Sequence, residues 1–337
     1  MSSRPEPGAA APPLPAAARG AEIRVRVARR RQECADVVLL DLVADDSSTL
    51  PAFAAGAHVE LHLPNGLTRQ YALCNAAEDS GRYCIAVLRD PASRGGSAWL
   101  HDEAAVGQTL RVGPPRSRFA LAPAATQHVL VAGGIGIAPL VCMAERLAVA
   151  DASFELHYCA RSAARAAFLE RMARARWAPR VRLHLQDAPL AAPAVLDPVL
   201  DARPPGSALY VCGPQGFMNW VLGAARAAGW HDQQLHCQHF GAAVTVAPHD
   251  ADFDVLLAGS GRVVPVTRGQ SVVQALASAG VVVPLSCGQG VCGTCQTRVL
   301  AGTPEHKDVF LTPAEREHGG FMPCVSRARG ARLILDL

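Results

Sequence analysis

The stretch Cys287–Cys295 reads CGQGVCGTC, and another cysteine follows it after a long gap. This Cys-x4-Cys-x2-Cys…Cys spacing is the plant-type ligand pattern for a [2Fe–2S] cluster. Glycines between the first three cysteines permit the tight turns and close backbone approach that such a loop requires. A zinc site or unrelated free cysteines are the alternative, but a zinc ribbon normally uses two Cys-x2-Cys pairs and only one is present. The predicted cluster ligands are Cys287, Cys292, Cys295 and Cys324.

The composition restricts the class of protein. A chain of 337 residues, half of them hydrophobic, has room for two or three domains. Its net charge of +3 indicates neither a nucleic-acid nor a membrane-surface partner. Lys307 is the only lysine, so a Walker A phosphate loop is excluded.

The cysteines and the first residues indicate the compartment. Seven cysteines lie outside the cluster motif without framework spacing, and reduced thiols beside an iron–sulfur site predict a cytoplasmic protein. Residues 1–20 are rich in Ala and Pro, so we expect a disordered lead-in without a signal-peptide core. The sequence contains no apolar run long enough to span a membrane.

Residues 21–124 are predicted to form an antiparallel β-barrel. His58–Leu63 alternates with period two and is followed by Asn65-Gly66, a strong hairpin signal. Short strands separated by turns are typical of a small barrel. The other predicted strands are Thr68–Leu73, Tyr83–Leu88 and Thr109–Val112.

Residues 125–238 are predicted to form a parallel α/β domain, because short apolar runs alternate with helical segments. The predicted strands are Val129–Ala132, Phe154–Tyr158, Val181–Leu185 and Ala208–Val211. The predicted helices are Pro139–Leu147, Ala164–Arg174 and Gly216–Ala228.

Residues 239–251 are the predicted linker to a third region, 252–337. In that region Phe253–Leu257 and Val263–Val266 form a predicted hairpin, and Ser271–Ala279 a helix capped by Gln270 or Ser271. With the cysteine loop and a strand at Gln296–Leu300, this order resembles a β-grasp ferredoxin. Near the linker, three histidines are interpreted as surface or hinge residues rather than metal ligands: His231, His236 and His239.

The barrel carries residues suited to a flavin phosphate, which needs a fixed cation and backbone amides. Arg69 could supply the cation, and Gly95-Gly96-Ser97 the amides. Tyr71 could pack against the flavin or bond its ribityl chain. Alone, Arg-x-Tyr is more typical of an ordinary strand; the order of the glycine motifs after it favours the flavin. Backbone groups that could line the flavin ring belong to Ala72, Ala86, Val87 and Leu88.

Two glycine-rich turns end strands of the α/β domain. The first, Gly133-Gly134-Ile135-Gly136-Ile137-Ala138-Pro139, leads into a helix, whose N-terminus attracts phosphate. The second is Cys212-Gly213-Pro214. Ligands of open α/β sheets bind at the carboxyl ends of the strands, so both turns should face one crevice. Cys212 would then lie near the reacting carbon of a nicotinamide, although a small buried residue at a strand end is the alternative.

Arg161 and Ser162 follow the strand Phe154–Tyr158 and are placed to meet the adenosine half of a dinucleotide. Arg161 and Arg165 would also suit a 2′-phosphate. Asp187 is either a ribose partner or a solvated turn residue. The residues therefore leave NADH and NADPH both open.

In this order the motifs resemble the phthalate dioxygenase reductase family, particularly the reductase subunits of vanillate O-demethylases, from about residue 21 onward. The segments that carry the resemblance are Arg69-Gln70-Tyr71-Ala72-Leu73-Cys74-Asn75, Arg94-Gly95-Gly96-Ser97, Gly133–Pro139, Tyr158-Cys159-Ala160-Arg161-Ser162, Tyr210–Pro214 and Ser286–Cys295 with Cys324. The resemblance implies FMN on the barrel, NADH on a ferredoxin reductase-like α/β domain, and a C-terminal [2Fe–2S] ferredoxin domain. Two positions depart from the family, which usually has Ser at Ala72 and Thr at Ala138; we expect function to survive through backbone amides.

The resemblance implies an NADH-dependent reductase that passes electrons through FMN and the cluster to a Rieske-type terminal oxygenase acting on an aromatic acid. A flavin is needed between the other two groups because NADH gives a hydride and the cluster takes single electrons. We expect no acid–base residue and a monomer as isolated. The alternatives are a reductase serving another monooxygenase or electron carrier, and a redox sensor, against which the two glycine turns argue.

Overall fold

The computed structural model describes residues 22–91, 93, 95–185, 196–240, 250–285 and 287–337. The predicted lead-in 1–20, Arg94, Asp187, Ser286 and the greater part of the linker 239–251 lie outside them. Three sheets follow one another along the chain: an antiparallel barrel, a parallel α/β sheet and a smaller mixed sheet with the cysteine loop. The predicted fold class is therefore confirmed.

The first sheet has six strands in the order β4-β3-β6-β1-β2-β5. It closes into a barrel because Leu73, just after β4, bridges Ile85 in β5, and the Cys74 amide donates to the Cys84 carbonyl at 2.9 Å. Alternate residues of the strands point inward to a buried aliphatic core. The elements are β1 (Ile23–Cys34), β2 (Val37–Ala44), β3 (His58–His62), β4 (Thr68–Ala72), β5 (Tyr83–Leu88), α1 (Gly96–Asp102) and β6 (Thr109–Val112).

The second sheet has five parallel strands in the order β11-β10-β7-β8-β9. Its central strands, β7 and β10, are almost continuously apolar because helices cover both faces. The elements are β7 (Gln127–Gly133), α2 (Ile137–Val149), β8 (Ser153–Ala160), α3 (Leu169–Arg174), β9 (Val181–Leu185), α4 (Asp197–Ala202), β10 (Ser207–Cys212), α5 (Gln215–Ala227) and β11 (Leu235–Gln238), with 3-10 turns at Gly134–Gly136, Ala163–Arg165, Ala178–Arg180 and Asp232–Gln234.

The predicted continuous helix Ala164–Arg174 is wrong in its first half. The structure has a 3-10 turn at Ala163–Arg165, and the helix begins only at Leu169. Between them Phe168 is fully buried with φ of 64°, and its amide donates to Glu33 Oε1 of the barrel at 2.8 Å. Burial of this aromatic ring therefore interrupts the helix.

The three histidines near the predicted linker differ in their surroundings. His236 belongs to β11, the edge strand of the parallel sheet, and its ring stacks on Tyr210 at a centroid distance of 4.9 Å. His239 Nδ1 lies 2.9 Å from Gln215 Oε1. Only His231, which precedes the turn Asp232–Gln234, is exposed as expected.

The third sheet has five strands in the order β13-β12-β18-β14-β16, and β15 pairs with β17 beside it. Of the two predicted caps of α6, the structure has Ser271: its hydroxyl accepts from the Gln274 backbone amide, and its own backbone amide donates to Gln274 Oε1. The elements are β12 (Phe253–Leu257), β13 (Val263–Val266), α6 (Val272–Ser278), β14 (Thr297–Ala301), β15 (Pro304–Glu305), α7 (Pro313–Glu317), β16 (Gly320–Phe321), β17 (Arg327–Ala328) and β18 (Arg332–Leu335).

The barrel and the α/β domain share one hydrophobic core, in which Val37 and Leu39 of β2 pack with residues of α2. Arg171 of α3 reinforces the junction: one nitrogen donates to the Cys74 carbonyl at 2.7 Å, and the guanidinium forms a two-pronged ion pair with Glu145. Among the described residues, no helix combines the length and apolar character needed to cross a membrane.

Candidate functional site

The four predicted cluster ligands come together as two adjacent pairs of thiols. Cys287 lies close enough to Cys292 for the two thiols to shift each other's pKa, and the same holds for Cys295 and Cys324. All four side chains are buried. Two irons that each take two thiolates require this pairing, whereas one zinc ion requires a single four-thiol cage. In the described part of the chain, no three His, Cys, Asp or Glu side chains gather as a site for one metal ion.

Glycines shape the cysteine loop as the sequence predicts. Gly288, Gly290 and Gly293 all have positive φ, between 63° and 79°. At Gly290 a Cβ would also lie 3.0 Å from the Asp308 Cα, and at Gly293 it would collide with the Phe310 ring. The loop therefore needs glycine both for its backbone angles and for close packing.

The surroundings favour the thiolate, the form that binds iron, at Cys292 and Cys324, whereas they raise the pKa of Cys287 and Cys295. The Gln289 amide donates to Cys287 Sγ at 3.3 Å, and the Thr294 amide to Cys292 Sγ at 3.5 Å. The hydrogen bond from Cys287 lowers the pKa of Cys292 to about 6, whereas this bond and burial raise the pKa of Cys287. A bond from Cys295 likewise lowers the pKa of Cys324. The donor set thus fits a [2Fe–2S] cluster.

Arg69 and Gly96, which the flavin prediction combines, are in contact. A Cβ on Gly96 would lie 2.7 Å from Arg69 Nε, so the glycine leaves room for the guanidinium group. Arg69 Nη1 donates to the Thr68 carbonyl at 2.8 Å, which orients the group along β4. A fixed cation beside a glycine-rich turn is the arrangement that a flavin phosphate needs.

Gly95 and Ser97, the residues on either side of Gly96, form hydrogen bonds with Ser93 and Asp90 of the same segment. Ser93 Oγ accepts from the Gly95 amide at 3.2 Å and from the Ser97 hydroxyl at 3.0 Å. Ser97 Oγ in turn accepts from the Asp90 amide at 3.3 Å. The structure therefore uses Gly95 and Ser97 to hold the turn together next to Arg69.

The predicted ring-lining residues divide between the two faces of the barrel wall. Ala72 and Ala86 face the core shared with the α/β domain. Val87 points into the barrel, so only its backbone can face a ligand, and its carbonyl lies 2.9 Å from His101 Nε2.

Leu88 is partly exposed, and Tyr71 is half-buried against the barrel core, where burial raises its pKa. Gln70 follows Arg69 on β4, and its Nε2 donates to Glu60 Oε1 at 3.3 Å.

The two glycine turns of the α/β domain are in close contact at one edge of the sheet. β7 and β10 are neighbours, and their following helices run from the same edge of the sheet. A Cβ on Gly136 would collide with the Cys212 carbonyl, and one on Gly213 would lie 3.0 Å from Gly133 Cα. This is the switch point at which open α/β sheets bind ligands.

Cys212 lies in this switch region, but its side chain points into the fold. The residue is fully buried, and its thiol donates to the Gln238 carbonyl of β11 at 3.3 Å. Burial raises the pKa of this thiol well above its ordinary value. Ala138 and Pro139 are buried in the first turn of α2, and Gly134 has a positive φ of 53°. Pro214 caps α5.

Arg161 and Ser162 follow β8 at the same edge of the sheet, and Arg161 is exposed. Arg165, the other candidate for a 2′-phosphate, forms an ion pair with Asp36 of the barrel at 3.3 Å. The ion pair links Arg165 to the barrel. Of the two candidate arginines, Arg161 is therefore the one that remains available at the edge of the sheet.

The structure shows three groups near the site that the sequence analysis missed. The ring of Phe217 lies against both glycine turns, within 2.9 Å of a Cβ built on Gly213. The Thr294 hydroxyl of the cysteine loop donates to Glu60 Oε1 of the barrel at 3.0 Å. The third group is a stack across the same boundary, in which Arg118 lies 3.6 Å over the Phe310 ring. A Phe directly after Gly-Pro-Gln-Gly was a weak signal for Phe217; the other contacts have no local signal.

Two protein-family models match this chain, one over the cysteine loop and one over the parallel α/β domain. The family model described as "2Fe-2S iron-sulfur cluster binding domain" matches residues 255–329. A second model, "Dimethylamine monooxygenase subunit DmmA-like, N-terminal domain", matches residues 108–235. The cluster prediction is therefore confirmed, because the first model covers the loop of paired thiols.

Three proteins that match 94% of this chain extend the comparison. A vanillate O-demethylase oxidoreductase of Pseudomonas sp. strain HR199 is 46% identical over 316 residues, which is 94% of this chain and 100% of the relative. The crystal structure of a phthalate dioxygenase reductase has 34% identity, a TM-score of 0.73 and coverage of 94% of this chain and 98% of its own. An intact type IV self-sufficient cytochrome P450 monooxygenase has 38% identity and a TM-score of 0.79; it covers 94% of this chain, which corresponds to 41% of that protein.

Proposed function

Since this chain belongs to the phthalate dioxygenase reductase family, we propose that it passes electrons from NADH through FMN and its [2Fe–2S] cluster to a Rieske-type oxygenase. The chain is an iron–sulfur flavoprotein oxidoreductase that uses a flavin, a nicotinamide nucleotide and a [2Fe–2S] cluster. Its proposed division is 21–124 for flavin, 125–238 for nucleotide and 252–337 for the cluster. The proposed state is a cytoplasmic monomer.

The residues of the chain hold and orient these groups. When bound, the flavin accepts a hydride's two electrons and releases them singly, as a [2Fe–2S] centre requires. In the proposal, Arg69 and the turn at Gly96 hold the flavin phosphate. The glycine turns at Gly133 and Gly213 bring the nicotinamide against the flavin, and Arg161 contacts the adenosine half.

The observation that carries the proposal is the direct contact between the barrel and the cysteine loop. Thr294 lies between the ligands Cys292 and Cys295, and its hydroxyl bonds Glu60 of β3 at 3.0 Å. Nearby, Arg118 covers Phe310, whose ring packs on Gly293 of the loop. The cluster loop is thus joined to the flavin barrel itself, which supports electron transfer within one chain.

The exposed apolar residues in the segment before the cysteine loop favour a protein as the electron acceptor. Val282 and Leu285, in the segment before Cys287, are exposed by 90% and 51%. The ferredoxin region carries a nearly balanced charge, so strong electrostatic steering is not expected. We call Val282 and Leu285 the apolar rim, and such a rim beside the cluster loop suits a docking oxygenase. The relative named vanillate O-demethylase oxidoreductase favours an oxygenase that demethylates an aromatic acid.

A second candidate acceptor is a haem monooxygenase. The structural match to a self-sufficient cytochrome P450 monooxygenase shows the same three-sheet unit within a longer P450 chain. The reductase chemistry would be unchanged, and only the acceptor would differ.

The two acceptors can be separated by stopped-flow reduction. The NADH-reduced protein is mixed anaerobically with a purified Rieske-type vanillate-demethylating oxygenase and, separately, with a substrate-bound bacterial P450. The proposal predicts fast bleaching of the Rieske cluster and slow P450 reduction. Fast reduction of the P450 alone would assign the chain to a haem monooxygenase system.

A further inference from the structure

A hydrogen bond between Thr294 and Glu60 joins the ligand loop to a side chain of the barrel, and Thr294 lies two positions after the predicted ligand Cys292. Thr294 Oγ1 donates to Glu60 Oε1 at 3.0 Å and lies 3.3 Å from Cys292 Sγ. The two residues are 234 positions apart in sequence. One hydroxyl is therefore shared between a carboxylate of the flavin barrel and a predicted iron ligand.

The carboxylate is held in place for this contact. Gln70 Nε2 donates to the same oxygen, Glu60 Oε1, at 3.3 Å. The Glu60 main chain is fixed as well, because its carbonyl accepts from the Gly113 amide at 2.8 Å. Glu60 is thus held by a side-chain bond from β4 and a backbone bond from the residue that follows β6.

A threonine hydroxyl has one hydrogen, so it can donate to only one acceptor at a time. With Cys292 protonated, the thiol donates to the hydroxyl and the hydroxyl donates to Glu60. With iron bound, Cys292 is a thiolate, and its sulfur competes with the Glu60 carboxylate to accept the hydrogen of the Thr294 hydroxyl. The carboxylate oxygen is the stronger acceptor, since cysteine sulfur accepts hydrogen bonds weakly.

Hydrogen bonds to the sulfurs and net charge both set the reduction potential of an iron–sulfur cluster. A donor to sulfur stabilises the reduced, more negative state and raises the potential. We propose that Glu60 keeps the Thr294 hydrogen away from Cys292 Sγ and thereby lowers the reduction potential of the cluster. This makes Glu60 a positioning residue that acts through Thr294; the inference rests on the cluster of the proposed function and not on the acceptor.

The test is a double-mutant cycle on the midpoint potential of the cluster. The wild type, Glu60→Ala, Thr294→Val and the double variant are titrated with dithionite and mediators, and the reduced cluster is followed by low-temperature EPR. Glu60→Ala removes a negative charge and also releases the hydroxyl. In the Thr294→Val background, the same substitution removes the charge alone.

The proposal predicts that Glu60→Ala raises the potential more when Thr294 is present than when Val replaces it. The expected difference is about fivefold in the equilibrium constant for reduction, or about 40 mV for a one-electron couple at 59 mV per tenfold. Thr294→Ser should behave like the wild type because it keeps the hydroxyl. Equal shifts in both backgrounds, or no shift, would overturn the proposal.

Two further variants keep the outcome decisive. Arg118→Ala breaks the neighbouring contact with Phe310 but not the Glu60–Thr294 bond, and because it removes a positive charge it should not raise the potential. A rise equal to that of Glu60→Ala would mean that loosening the contact is the cause, and would contradict the proposal. If Glu60→Ala lost its cluster, Glu60→Leu would take its place in the cycle with the same expected sign, because it also removes both the charge and the acceptor. The oxygenase and NADH are absent from these titrations, so an error in the proposed acceptor or nucleotide would not affect the result.

Discussion

Gly96 is the residue at which the proposed flavin-phosphate site can be tested without removing its cation. In Gly96→Ala the new Cβ would lie 2.7 Å from Arg69 Nε, so the guanidinium group must move. A lost charge-assisted hydrogen bond costs about 1.5–3 kcal/mol, so we expect FMN affinity to fall by about tenfold or more. Fluorescence titration of the deflavinated protein with FMN measures this.

Gly81→Ala is the matched barrel control, since its Cβ would meet only Asp79 Oδ1 at 3.7 Å and FMN affinity should be unchanged. Arg69→Ala should weaken binding at least as much as Gly96→Ala. Unchanged affinity in both of these variants would remove Arg69 from the phosphate site.

At the residue scale, the sequence predicts those site residues that lie near one another in the chain or within a recognisable order of motifs. Three of the four thiols lie on one loop, and the Arg69–Gly96 contact follows from the expected order of motifs. The Glu60–Thr294 bond could not be predicted, because residues 234 positions apart meet only once the domains pack. The use of Ser93 to hold Gly95 and Ser97 was equally hidden, because it depends on how a turn folds on itself.

At the element scale, the close approach of β10 to the turn after β7 predicts a sharp effect of Gly136→Ala. The added Cβ would collide with the Cys212 carbonyl, a backbone group that cannot rotate away. We expect about 1–3 kcal/mol of destabilisation from overpacking and a large loss of NADH-driven flavin reduction. Thermal unfolding and stopped-flow flavin bleaching measure the two effects.

Gly223→Ala in α5 is the control for this prediction. Gly223 is exposed, and a Cβ there meets nothing within 4 Å, so alanine should stabilise the helix by up to about 1 kcal/mol. Flavin reduction should stay at the wild-type rate. If Gly136→Ala behaved like this control, the two glycine turns would not form the nicotinamide crevice.

Strands in which apolar residues recur at every second position are predicted well. Three of them have the predicted bounds: Val181–Leu185, Phe253–Leu257 and Val263–Val266. β11 was missed because an edge strand of four residues with a polar composition has no clear period. The helix at 164–174 failed because burial of Phe168 overrides a regular local pattern.

At the scale of the whole molecule, the order of electron transfer predicts that Cys292→Ser separates two activities. Cytochrome c reduction, which requires the cluster, should be lost, while NADH-driven reduction of a dye that accepts electrons from flavin should remain. Cys34→Ser, at a half-buried thiol outside the motif, should preserve both activities. Loss of dye reduction with FMN still bound would contradict the linear order.

The exposed apolar rim gives a second prediction at this scale. Leu285→Asp should weaken oxygenase docking by about 1 kcal/mol, or about fivefold in the apparent affinity, because a charge would enter an apolar contact. Val106→Asp, at an exposed valine of the barrel, is the control and should have no effect. The affinity comes from the dependence of NADH oxidation on oxygenase concentration, and equal values for both variants would place the docking surface elsewhere.

The most direct test of the account is an anaerobic NADH titration of the purified protein, followed by optical absorption and low-temperature EPR. The account predicts bleaching of the flavin bands together with a rhombic one-electron signal from the reduced cluster. A cluster that NADPH reduces and NADH does not would contradict the nucleotide assignment. A cluster that neither nucleotide reduces would contradict electron transfer through this chain.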